Sequence, residues 1–168
     1  MREGMRESVP SAAAVTAVRL RAAFAVTSVT WTFLLALVPL LTTRAQPSAL
    51  GTGVVVAVYA VGSLVCHQLP ARSFELWSAQ MPVCARCTGI YLGSAACVPL
   101  ALRWTTSSTT ARAARRRLAL AVLPSAATLV YEWTTGVAPS NWIRFAAGLP
   151  IGAATAWLVV AASRNQVN

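Results

Sequence analysis

No charged residue lies between Arg21 and Arg44, between Arg44 and Cys66, between Arg86 and Arg103, or between Arg144 and Arg164. Glu132 is the single charge between Arg117 and Arg144. Each run approaches the ~20 residues with which an α-helix crosses the hydrocarbon of a bilayer, Arg86–Arg103 being the shortest. In lipid the backbone must satisfy its own N–H and C=O groups, so such runs form helices and not open sheets. The expected fold is all-α, a polytopic transmembrane helix bundle with about five spans near 22–42, 49–66, 83–102, 118–137 and 142–162. The last four form a four-helix core, and one N-terminal helix precedes them. Residues 1–21 read as a basic tail that becomes helical near Arg19. Residues 22–162 form a single transmembrane domain with a Cys/His loop at 66–87, and 163–168 a C-terminal tail.

Composition agrees with that division. Hydrophobic residues make up 57% of the chain and charged residues 11%, against about 25% charged in an ordinary soluble domain. The net charge of +10 comes from fourteen basic residues, all arginine, most of them flanking apolar runs. That placement suits headgroup anchoring in a lipid bilayer and not a duplex-binding face, so nucleic acid is not an expected partner. Thr43-Arg44-Ala45 faintly resembles a signal-peptidase site. The apolar run before it exceeds the 7–15 residues of a secretory signal, so it reads as a membrane helix.

Arg103–Arg117 contains Arg112, Arg115, Arg116 and Arg117 without an acid, the strongest cytoplasmic signal in the chain. With five spans, parity puts the Arg44 loop and the C-terminus on that side of the cell (inner) membrane. The Cys/His loop is then extracytoplasmic, together with an N-terminal tail bearing Arg2, Arg6, Arg19 and Arg21. Trp77, Trp104 and Trp142 fall near helix ends, as interfacial anchors do. Gly89, Gly93 and Cys97 form one small-residue stripe, and Arg144, Gly148, Gly152 and Ala156 another. Such faces bring helix backbones close, within one chain or between copies in a homo-oligomer. Cys97 reads there as a small packing residue.

The chemistry concentrates in Cys66–Gly93. Cys66 and the only histidine, His67, are followed after sixteen residues by Cys84-Ala85-Arg86-Cys87. This approaches the pair-spacer-pair pattern of small zinc sites, although Cys66 and His67 are adjacent where two intervening residues are usual. Thiolates and imidazole are preferred zinc ligands, so Cys66, His67, Cys84 and Cys87 form a candidate metal set with zinc as its ion. Pro82 suits the start of the third helix, with Cys84 and Cys87 on one face of its first turn. A CxxC at a helix N-terminus, with Arg86 between the thiols, also fits a redox pair with Cys66 as exchange partner. Haem or another transition metal on His67 and a thiolate, a stabilising disulfide, and simple packing remain further readings. The 67–82 connection, with Pro70, Arg72, Ser73, Phe74, Glu75 and Trp77, is long for a link between membrane helices, and long loops are often functional.

CHQ-x-P-x-RSF followed by PVCARCTGIYLG resembles the domain of unknown function 2085 family of prokaryotic integral membrane proteins. The resemblance continues through Pro124, Glu132, Ser140-Asn141, Arg144 and Gly148, and covers roughly residues 50 to 160. It implies membrane residence and says little of activity. It also implies an acidic residue one turn before Glu132, where this chain has Thr128, so a role needing two carboxylates is not supported.

The 66–87 loop and the turn between the last two helices should share one membrane face. Glu132, Ser140, Asn141 and Arg144 then join Arg72 and Arg86 near the cysteines as a possible polar or ion-pair site. At ~1.5 Å rise per residue Glu132 and Arg144 match in depth, and the cost of an unpaired intramembrane charge predicts that they pair. The chain has no Asp and no Gly-rich phosphate loop, and Ser73 and Ser140 have no histidine partner apart from His67. A hydrolase is therefore not supported, and no catalytic residue is assigned. The expected role is structural or accessory around a Cys₃His site. One alternative is a membrane thiol–disulfide oxidoreductase using Cys84 and Cys87, and another a carrier or binding protein for a small anion or lipid headgroup through Arg144 and Asn141.

Overall fold

The computed structural model describes residues 12–44, 48–104 and 110–165. The expectations placed on residues 1–11, on the turn at 45–47, on 105–109 and on 166–168 lie outside the described residues, as does the side chain of Trp104. The chain is all-α apart from one small hairpin. Its helices are α1 (Ala12–Thr42), α2 (Ala49–Val65), α3 (Ala85–Trp104), α4 (Ala111–Thr135) and α5 (Asn141–Asn165). Between α2 and α3 lie a 3₁₀ turn, Pro70–Arg72, and the antiparallel strands β1 (Ser73–Leu76) and β2 (Ala79–Cys84). Helix α1 already includes residues 12–21, so that part of the expected tail is helical.

Local chemistry sets the helix ends. The Ser48 hydroxyl accepts the Gly51 N–H at 3.1 Å and the Thr110 hydroxyl the Ala113 N–H at 3.3 Å, each satisfying an otherwise orphaned donor. Helix α4 stops at Gly136, whose φ of 69° is the left-handed conformation that glycine adopts without a Cβ clash.

Helices α1, α3, α4 and α5 form a bundle in which α3 and α5 run parallel to each other and α1 and α4 run the opposite way. The Thr32 hydroxyl donates to the Tyr91 carbonyl at 3.1 Å, Trp31 meets Tyr91 edge-on, and Ser28 lies beside Ser94, so α1 descends as α3 rises. Along α4 and α5, Glu132 meets Arg144, Ser125 donates to the Ala147 carbonyl, and Arg117 stacks on Trp157. Helices α1, α3 and α5 are each long and apolar enough to cross a membrane; α2, at 17 residues, is shorter. Its contacts are with α1 and with β2. The Tyr59 hydroxyl donates to the Gln80 carbonyl, and Gly62 lies against the Pro82 carbonyl.

This arrangement differs from the expected four-helix core of the last four helices. The C-terminal half of α1 packs through Leu35 and Val38 on Met81 and Val83 of the hairpin. Arg44 therefore follows α1 at the cysteine end of the bundle, and Arg19 and Arg21 lie towards the opposite end. The parity count assumed that α2 crosses between them. Instead α2 meets α1 and the hairpin along one side, through Val58 and Gly62, and leaves Leu50, Val56, Leu64 and Val65 exposed.

The closest contact in the bundle is between α3 and α5. A Cβ on Gly89 or Gly93 would collide with the carbonyl oxygens of Phe145 and Leu149. One on Gly148 or Gly152 would collide with those of Arg86 and Ile90. The two small-residue stripes thus pack on each other inside one chain. We expect Gly152→Ala to lower stability by about 1–3 kcal/mol, because overpacking forces the backbones apart. Gly53→Ala, with nothing within 4 Å of the added methyl, should be neutral or stabilising by up to about 1 kcal/mol. Denaturant unfolding of both variants in detergent checks the contrast.

A thiol and ion-pair chamber at one end of the bundle

Cys66 follows the last turn of α2, its N–H bonded to the Gly62 carbonyl at 2.9 Å. His67 continues outward and is exposed. Gln68 then turns the chain back with φ 51°. This left-handed conformation is uncommon for a residue with a Cβ, and three hydrogen bonds hold it. The Gln68 amide donates to the carbonyls of Tyr59 at 2.8 Å and Pro82 at 2.7 Å, and Gln80 donates to the Gln68 carbonyl at 2.6 Å. Trp77 and Ser78, both with positive φ, make the two-residue turn between Leu76 and Ala79, the geometry that matches strand twist.

The sequence reading put Pro82 at the start of a helix and Cys84 in its first turn. In the structure Pro82 lies buried within β2, Cys84 ends that strand, and α3 begins at Ala85. The strand belongs to a two-stranded sheet whose pairing is irregular between Ser73 and Glu75, and such positions tolerate a residue without an N–H.

The CxxC therefore straddles a strand-to-helix joint. Cys84 leaves the strand opposite Ser73, Cys87 sits in the first turn of α3, and the Cys84 N–H donates to the Cys66 sulfur at 3.2 Å. The Sγ atoms of Cys66, Cys84 and Cys87 all lie within 4.8 Å of one another, and all are free thiols. Zinc with ~2.3 Å bonds to sulfur spaces its thiolates about 3.8 Å apart, so closure on such an ion needs about 1 Å of movement or less. His67, counted with them from the sequence, stands outside this group but borders the same cavity. The hydrogen bond from the Cys87 thiol holds the Cys84 thiol down to about 5, against the opposing effect of burial.

That cavity, of about 350 Å³, joins the thiols to the charged residues. Its walls include Cys66, Cys84, Cys87, Arg72, Arg86, Glu132 and Arg144. Arg144 is 3% exposed; its Nη2 lies 3.3 Å from Glu132 Oε2 and its Nη1 3.5 Å from Asn141 Oδ1. The other Glu132 oxygen takes Arg72 from the 3₁₀ turn that leads into the hairpin, a partner that depth matching along α4 and α5 did not anticipate. Asn141 also donates to the Ser73 carbonyl at 2.9 Å, and Phe74 packs between Trp142 and Phe145. The Arg72-Ser73-Phe74 triplet is thus the docking strip of the hairpin: one ion pair, one backbone acceptor and one ring. Ser140 is exposed and faces the Ile143 N–H at 3.4 Å, serving the start of α5 and not the cavity. Arg86 donates to the Thr128 hydroxyl at 2.8 Å.

Fold and site together define a helical membrane protein with a thiol-rich, charged chamber at one end. The chain belongs to the family described as predicted membrane protein (DUF2085), whose model matches residues 66–158. It is 58% identical over 38 residues to the uncharacterized protein MJ1492 of Methanocaldococcus jannaschii, covering 23% of this chain and 24% of that protein. An uncharacterized protein of Methanothermobacter thermautotrophicus is 53% identical over 30 residues, 18% of this chain and 27% of that one. The chain spans about a quarter of the length of these relatives, so the likeness is confined to a short block. No solved structure matches.

Two predictions follow from this geometry. In metal-free protein the alkylation rate of Cys84 should climb as pH rises through about 5, where the thiolate forms, and level off by neutrality. Cys87→Ala should move that rise upward by removing the donor; iodoacetamide labelling followed by peptide mass spectrometry reads both. Glu132→Gln should cost about 3–5 kcal/mol by leaving the buried Arg144 uncompensated. Arg72→Ala, at a side chain 47% exposed, should cost about 1 kcal/mol or less. Comparison of unfolding midpoints ranks them.

Proposed function

We propose that the protein is a multi-pass component of the cytoplasmic membrane in which the thiolates of Cys66, Cys84 and Cys87 hold a zinc ion, with a structural or accessory role. The convergence of three sulfurs from the end of α2, the end of β2 and the start of α3 supports this reading. A metal there would cross-link three segments that meet beside the core of Leu35, Val38, Val58, Met81 and Val83. Small metal-bound units draw folding energy from such a site. The N–H donated by Cys84 to the Cys66 sulfur is an outer-shell contact that would orient that sulfur as a ligand. His67, next in sequence to Cys66, borders the cavity but stands outside the three-sulfur group, so the sulfurs alone carry this reading.

The cysteine end is proposed to face outward. Arg19, Arg21, Arg103, Arg112, Arg115, Arg116, Arg117 and Arg164 belong to the opposite helix ends, where no acid is described. The positive-inside rule places that end in the cytoplasm.

A second reading, a membrane thiol–disulfide oxidoreductase, draws on the same proximity. Cys84 and Cys87 could close a disulfide, releasing two electrons and two protons to an acceptor such as a quinone, with Cys66 positioned for exchange. Carriage of an anion on Arg144 itself has less support, because Glu132 and Asn141 already occupy its guanidinium.

Elemental analysis of detergent-purified protein, combined with thiol counting, tests the proposal. One zinc per chain is expected, lost in Cys66→Ser, Cys84→Ser and Cys87→Ser, with four titratable thiols after chelation. Metal-free protein carrying a reducible Cys84–Cys87 bond would overturn it in favour of the redox reading.

A further inference from the structure

We infer that this metal site is an open one, and that a small carboxylate-bearing anion reaches the metal from the chamber, held by Arg86. The inference rests on the zinc reading above and adds to it a ligand. Three protein sulfurs converge, whereas His67 is exposed and outside their group. Zinc sites closed by four protein ligands are structural, and sites with three keep a position for an exogenous ligand. All three cysteines border one cavity of about 350 Å³, within the size range of small-molecule sites.

The charges in that cavity do not balance. Three guanidiniums, those of Arg72, Arg86 and Arg144, face one carboxylate, Glu132. Arg72 and Arg144 share that carboxylate. Arg86 has a neutral hydroxyl, Thr128, as its partner, and its buried Nε–H has no acceptor among the described residues. A zinc ion with three thiolates carries one negative charge, so the cavity walls retain one positive charge. A monoanion neutralises it. A carboxylate suits both requirements, because guanidinium offers it a planar fork of donors and its oxygens are good zinc ligands. The N-terminus of α3, where Arg86 and Cys87 lie, adds the positive end of the helix dipole.

The test uses full-length protein in detergent with Co²⁺ in place of zinc, whose visible ligand-field bands report the donor set, and acetate as the probe. A saturable acetate-dependent shift of those bands is expected. Arg86→Gln should keep the thiolate-to-cobalt charge-transfer band but weaken acetate binding at least tenfold. Thr128→Glu, which supplies a carboxylate beside Arg86, should abolish the response with cobalt still bound. His67→Ala should leave the titration unchanged. Cobalt bound with bands indifferent to acetate, and altered by His67→Ala, would show a closed Cys₃His site and overturn the inference alone. Failure to bind cobalt or zinc at all would overturn the zinc reading, and this inference with it.

Discussion

The cysteine end of the molecule depends on one carboxylate. Arg144 is buried in a segment with apolar surroundings, and removing a guanidinium from water without a counter-charge costs several kcal/mol. Glu132 supplies that charge from α4, and the same carboxylate takes Arg72 from the 3₁₀ turn that leads into the hairpin. A single acid therefore fixes the depth of α5 against α4 and closes the hairpin over both. Asn141 extends the arrangement, accepting from Arg144 and donating to Ser73. The cysteines lie across the cavity from this couple because the hairpin that ends in Cys84 is docked by it.

Much of the helical architecture was legible because lipid removes alternatives: a charge-free run of about twenty residues has to be helical. The Glu132–Arg144 contact was legible for a related reason, equal depth in a medium that penalises lone charges. The hairpin was not. Its strands have four and six residues, and its turn uses Trp77 and Ser78 at positive φ, where Asn-Gly or Asp-Gly would have announced it. Pro82 pointed towards a helix start because its missing N–H is as well accommodated there as in this strand. The reversal of α1 left one trace in the sequence. Counting α2 as a crossing put four arginines of the N-terminal tail on the outer side, against the trend of every other basic cluster. Turning α1 over brings Arg19 and Arg21 to the same end as Arg112–Arg117, which removes the anomaly for those two, the described pair of the four.

At the site, sequence spacing located the three sulfurs that come together but not the fourth partner. Adjacent residues in an extended segment point to opposite sides. Cys66, with extended backbone at φ −146°, is buried in the sulfur group, and His67 is exposed at the cavity border outside it. Arg72 was recognisable as a charged loop residue, yet its partner sits 60 positions away on α4 and could be named only once the hairpin was folded.

The glycine contact between α3 and α5 divides the molecule into parts with different freedom to change. Where two backbones touch, no side chain is available to absorb a substitution by repacking. Helix α1 meets α3 through a threonine hydroxyl, a serine pair and one aromatic edge, contacts that many side chains could replace. The family match begins at Cys66 and ends within α5, leaving out α1 and all of α2. Residues 66–158 thus hold the contact least able to yield, and the first two helices lie against it through side chains that can repack.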